Sequence, residues 1–136
     1  MQEKVFPAVL ESIPLVTAWI DEALEGLDCP LKAQTQIDVA VDEIFGNIAH
    51  YAYPGGEGSA AVRLEFDADE KMIAITFTDE GIPFDPLKQA EPDVTLGAED
   101  RQIGGLGIYL VKKTMDEVTY QFREGRNILR LKKRIG

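Results

Sequence analysis

Apolar residues recur at helical spacing in two stretches near the start of the chain. Between Pro7 and Leu24 they fall at positions 9, 10, 13, 16, 20 and 24, which predicts a first helix. Pro14 makes an early kink in it or moves its start. Gly26 and Pro30 interrupt the pattern, and from Leu31 to Ala52 the stripe Ile37, Val41, Ile44, Ile48 and Tyr51 predicts a long second helix, ended by Tyr53-Pro-Gly-Gly. The period then changes to two. Val62, Leu64 and Phe66, followed by Ile73, Ile75 and Phe77, predict strands over 60–67 and 71–78 joined at Asp69-Glu70. A short strand over 2–6, a third helix from Leu106 to about Met115, and strands Glu117 to Arg123 and Asn127 to Lys133 turning at Glu124-Gly125 complete the pattern.

That order, β-α-α-β-β-loop-α-β-β, predicts an α+β fold: a two-layer sandwich with three helices on one face of a mostly antiparallel mixed sheet. Periodicity disappears between Asp79 and Gly107, where three prolines and five glycines make a loop too long for a plain connection. Loops of that length carry function or disorder. The chain shows no internal repeat and no linker, so one domain over 1–136 is expected.

Charge and composition narrow the classes. A net charge of −10, concentrated in the first 120 residues because residues 121–136 hold six cations and one Glu, repels phosphate backbones; no direct nucleic-acid contact is expected. The basic last strand fits a sheet edge guarded against aggregation. The first residues lack a cationic start and apolar run, and no window reaches the ~18 apolar residues of a membrane span, so a cytoplasmic protein without a membrane contact is expected. One cysteine, Cys29, and one histidine, His50, exclude an internal disulfide and a tetrahedral zinc site. Neither Ser12 nor Ser59 sits in a nucleophile elbow.

Three clusters carry candidate chemistry. Glu43, Asn47 and His50, spaced by four and three, share one face of the second helix beside its apolar stripe, as a solvated polar row also would. Asp79-Glu-Gly81 follows an apolar strand; there a carboxylate can accept from an amine and a glycine lets backbone approach a flat ligand, although Asp-x-Gly is equally a turn signal. Gly104-Gly105-Leu106-Gly107 opens the third helix, where free N–H groups and the positive dipole end suit a phosphate, or where a hinge is needed.

Together and in this order, Glu43-x-x-x-Asn47-x-x-His50, Asp79-x-Gly81 and Gly104-Gly-Leu-Gly107 resemble the ATP-binding superfamily of gyrase, heat-shock chaperones, histidine kinases and mismatch-repair ATPases. Gly81-Ile-Pro-Phe-Asp-Pro86, the run from Gly104 to Glu117, and Gly125-Arg-Asn-Ile-Leu-Arg-Leu131 resemble the small bacterial anti-sigma factor serine/threonine kinases. At this length a stand-alone module is expected, without the added domains of the larger relatives.

The resemblance implies the histidine-kinase-like ATPase fold, ATP and Mg²⁺ as cofactors, and an ATP lid at about 85–103. It implies Glu43 as the catalytic base, Asn47 as the Mg²⁺ ligand, and Asp79 with Gly81 at the adenine. Gly104, Gly105 and Gly107 fall at the phosphates, and Asn127 near a threonine that supports adenine in relatives. His50, inside the motif, is then no phospho-acceptor. The implied partners are a sigma factor and an anti-anti-sigma protein that is phosphorylated, with the chain itself a homodimer. Two positions depart from the pattern: Arg101 stands two residues short of the glycine pair, and the first helix carries no Arg or Lys. The alternative is a non-catalytic, nucleotide-dependent module that sequesters a regulatory partner.

Overall fold

The computed structural model describes residues 1–88 and 105–136. Strand β1 (Gln2–Pro7) leads through a 3-10 turn (Leu10–Ser12) into α1 (Ile13–Gly26) and α2 (Leu31–Tyr51). Strands β2 (Ser59–Asp67) and β3 (Met72–Asp79) follow, then a 3-10 turn (Pro86–Lys88), α3 (Gly105–Thr114), β4 (Glu117–Arg123) and β5 (Arg126–Arg134).

Local chemistry sets these limits. Pro14 lies in the first turn of α1, where its missing N–H leaves nothing unpaired, so the helix begins at Ile13 and not at Pro7. The Leu24 carbonyl accepts from Leu27 N at 3.1 Å and Cys29 N at 3.0 Å, which closes α1. Asp67 Oδ1 accepts from the N–H groups of Asp69 and Glu70 at 3.0 and 3.2 Å and bends the chain between β2 and β3. Lys71 takes a left-handed φ of 56° there, so β3 starts one residue later than its apolar alternation predicts. Glu124 and Gly125 both have positive φ, the backbone of a two-residue turn matching strand twist.

The five strands order as β1-β2-β3-β5-β4, and every neighbouring pair is antiparallel. The two-layer, antiparallel expectation holds, but no parallel pair exists among the described residues. Strands β3 and β4 do run the same way, yet β5 folds back between them and separates them.

Register explains where a site can form. Leu64, Ile75, Leu131 and Val118 make one cross-strand row on the helix-facing side, and Val62, Phe77, Leu129 and Tyr120 make the next. Against them pack Val16, Ile20 and Leu24 of α1, Ile37, Val41, Ile44 and Phe45 of α2, and Ile108 and Val111 of α3, in one continuous core. Burying each such side chain contributes about 1.5–3 kcal/mol. Helix α2 lies in the middle, in contact with both α1 and α3. One row further along, the same inward face turns polar: Ala60, Asp79 and Asn127 stand side by side. Among the described residues no helix is long and apolar enough to cross a membrane.

Candidate functional site

At that polar end the sheet and α2 separate around a small cavity of about 30 Å³. Phe77 and Leu129 form its floor, Ile44, Ile48 and Ala52 one wall, and Phe84 and Pro86 its rim. The polar groups reaching it are Asn47, Asp79, Tyr120 and Asn127. Flat apolar walls with one buried carboxylate suit a planar heterocycle that carries an amine.

Asp79 is 6% exposed, and its Oδ1 accepts from Gly81 N and from Asn127 Nδ2, both at 2.9 Å. No described residue donates to Oδ2. Burial pushes the Asp79 carboxyl above its ordinary range, while the Asn127 and Gly81 hydrogen bonds oppose that rise by holding the ionised form. Asn127, directly across from Asp79 in β5, also donates to Ile82 O at 2.8 Å and accepts from Phe84 N at 3.1 Å and from the Tyr120 hydroxyl.

The turn after β3 is tied to the end of α2. Ile82 N donates to Ala52 O at 2.9 Å, and the Tyr53 hydroxyl donates to Ser59 O at 2.6 Å while accepting from Glu80 N at 2.9 Å. Gly81 passes so close that a Cβ there would lie 2.2 Å from Ala52 O. Only glycine fits that approach.

Two turns back along α2, Glu43 is half-buried and faces α3. A Cβ on Gly107 would lie 2.2 Å from the Glu43 carboxyl carbon, so the start of α3 rests on this carboxylate. Burial pushes the Glu43 carboxyl up, the Asp42 charge adds to that, and the Asn47 amide opposes it. Glu43 Oε1 and Asn47 Nδ2 are nevertheless buried without a hydrogen-bond partner. Unpaired buried polar atoms cost about 1–3 kcal/mol each, and these two stand one helical turn apart beside the cavity.

The structure thus brings Asn47, Asp79, Gly81 and Asn127 to one cavity and sets Glu43 against Gly107 beside it, with Gly105 opening α3. His50 is exposed, its ring 5.9 Å from that of Tyr51 and away from the cavity lining. Gly104, Arg101 and residues 89–103 of the expected lid lie outside the described residues. Sequence reasoning missed Tyr120 and Tyr51. Tyr120 is one of several alternating apolar positions in β4, and only the β4–β5 register puts it beside Asn127. Tyr51, read as part of the apolar stripe of α2, is 48% exposed and stacks on Phe84 with ring centroids 5.0 Å apart.

Comparison with known proteins gives a consistent set. The family described as histidine kinase-like ATPase domain matches residues 6–133. The chain is 30% identical over 95 residues to the serine/threonine-protein kinase BtrW of Bordetella bronchiseptica, covering 70% of this chain and 66% of that protein. It is 29% identical over 129 residues to the serine-protein kinase RsbW of Bacillus pumilus, covering 90% and 79%. It is 26% identical over 99 residues to the anti-sigma F factor of Pasteuria penetrans, covering 73% and 66%. Among solved structures, the histidine kinase domain of the blue-light activated histidine kinase of Erythrobacter litoralis EL346 superposes with a TM-score of 0.56 at 18% identity, covering 78% of this chain and 46% of that one.

Proposed function

The chain belongs to the histidine kinase-like ATPase domain family, and on that premise we propose that it is an ATP-dependent serine/threonine protein kinase acting as an anti-sigma factor. In this reading it binds a sigma factor and phosphorylates an anti-anti-sigma protein, as a cytoplasmic homodimer. The observation that carries it is the Glu43 carboxylate held against Gly107 at the start of α3. A module that only held nucleotide would need Asp79 and Asn47 but no carboxylate at the phosphate end.

Each residue has a part that its surroundings support. Asp79 Oδ2 takes the adenine amine, with Phe77 and Leu129 below the ring and Ile44 and Ile48 beside it. The N-terminal N–H groups of α3, beginning at Gly105, hold phosphate oxygens, with Gly104 just before them. Asn47, its amide lacking a partner at Nδ2, offers its oxygen to Mg²⁺. The ion supplies charge neutralisation for the transferred phosphoryl group. Glu43 accepts the proton of the attacking hydroxyl; burial raises its carboxyl and so strengthens it as a base.

The test is nucleotide-dependent stabilisation. Millimolar ATP with Mg²⁺ raises the melting temperature of the wild type and GTP does not, and Asp79→Asn removes most of the ATP shift. Equal shifts with ATP and GTP, or none, would overturn the adenine assignment.

A further inference from the structure

Four hydrogen bonds converge on Asn127, and they leave it nothing to offer a ligand. Both amide hydrogens are engaged, one on Asp79 Oδ1 at 2.9 Å and one on Ile82 O at 2.8 Å. Its carbonyl oxygen accepts from Phe84 N at 3.1 Å and from the Tyr120 hydroxyl. The amide can stand only this way round, because Ile82 O is an acceptor and Phe84 N–H a donor whatever the side chains do. Asn127 is 6% exposed, so water does not compete for these bonds.

We propose that Asn127 is a positioning residue for base recognition: held by Tyr120 and the 82–84 backbone, it fixes Asp79 with Oδ1 fully occupied and Oδ2 as a pure acceptor for an exocyclic amine. This rests on the nucleotide-site reading above and extends it to the side chain that holds the carboxylate from behind. With two N–H groups on Oδ1, any proton that Asp79 takes up goes to Oδ2. That proton turns the base-facing atom from an acceptor into a donor, which no longer suits an amine and instead suits a carbonyl such as that of hypoxanthine. Selectivity therefore depends on keeping Asp79 ionised. Burial works against this, and the Asn127 and Gly81 hydrogen bonds work for it.

Among the described residues few other groups act on this carboxylate. Tyr120 and Asp85 lie on the β4 and rim side. Glu80 is exposed and pairs with Arg126 at 3.5 Å. From α2 the cavity receives Ile44, Asn47, Ile48 and Ala52, none of them charged.

The experiment measures ADP and IDP affinity by calorimetry from pH 5.5 to 8.5 for the wild type, Asn127→Ala and Tyr120→Phe. In the wild type, ADP binds more tightly than IDP throughout most of this range. Asn127→Ala weakens ADP binding by about tenfold at high pH, the effect of one charge-assisted hydrogen bond. It weakens ADP binding further as pH falls, narrowing the ADP-to-IDP ratio at a higher pH than in the wild type. Tyr120→Phe, which removes one hydroxyl and leaves Asn127 in place, shows the same trend in smaller measure and serves if Asn127→Ala fails to fold. A loss that is equal at every pH and equal for ADP and IDP in both variants overturns the positioning role. Wild type that binds neither nucleotide overturns the site reading itself, a result distinct from flat behaviour of the variants.

Discussion

Gly81 and Gly107 make a controlled pair, because an added methyl meets an obstacle at 2.2 Å in each and the obstacles differ in kind. At Gly107 the obstacle is the Glu43 carboxylate, the far end of a flexible side chain. Gly107→Ala turns Glu43 away at a cost of about 0.5–1.5 kcal/mol in rotamer energy. The same change gains about 0.8–1.0 kcal/mol because alanine favours helix over glycine. The two nearly cancel, so the melting temperature moves by no more than about 3 °C. Phosphoryl transfer, however, loses its base and falls by about 10²–10⁴. At Gly81 the obstacle is the Ala52 carbonyl oxygen, with its carbon at 2.6 Å, and backbone at the end of α2 cannot swing aside. Gly81→Ala overpacks the turn and breaks the Ile82 N to Ala52 O bond, together costing about 2–4 kcal/mol. That lowers the melting temperature by roughly 10 °C, and displaces the N–H that holds Asp79. Differential scanning calorimetry and a labelled-ATP transfer assay on both variants read the contrast. Gly107→Ala transferring at the wild-type rate, or losing as much stability as Gly81→Ala, would refute the placement of Glu43 against α3.

Two further outcomes are expected. Asp38 of α2 lies beside Asp21 of α1, and burial together with that neighbour raises its carboxyl to about 7. Its folded value lies above its unfolded one, so its contribution to stability is full below about pH 4 and is lost as pH rises through 7. Water around this half-buried pair screens the effect to about 1 kcal/mol. Asp38→Asn should therefore melt about 3 °C above the wild type at pH 8 and level with it at pH 4.5, as thermal melts across pH will show. Asn47→Ala removes a buried unpaired Nδ2 and so should not lower the melting temperature. It should abolish the gain in ATP affinity on adding Mg²⁺, measured by titration with and without the ion.

Much of the fold was legible because single elements bury one clean face. The α2 stripe from Ile37 to Ile48 and the β3 alternation match their buried positions, as do Val62 and Leu64 of β2, whereas Phe66 at the end of that alternation is 36% exposed. Asp79 ends β3 and is half of the polar row that makes the site, yet in sequence it reads as the first residue of a loop. Its place in the cavity depends on the cross-strand pairing with Asn127, 48 residues away, which no local pattern encodes. Likewise the 3-10 turn before α1 follows from Pro14 fixing the helix start, one of two outcomes that the residue allowed. Glu43 and Asn47 were visible as a spaced pair, but a spaced pair also describes any wet helix face. What separates them is burial without partners, a property of packing.

In the proposed function Glu43 acts on a substrate hydroxyl while the nucleotide is held by other groups. The direct measurement is transfer of labelled γ-phosphate from ATP to a candidate anti-anti-sigma protein encoded beside this chain, in wild type and Glu43→Ala, with ATP affinity determined in parallel. Transfer to a serine or threonine of the partner is expected from the wild type, with a fall of about 10²–10⁴ in Glu43→Ala and ATP affinity nearly unchanged. Glu43→Ala transferring as fast as the wild type, or a wild type that binds the partner in a nucleotide-dependent way and never phosphorylates it, would contradict this role of Glu43.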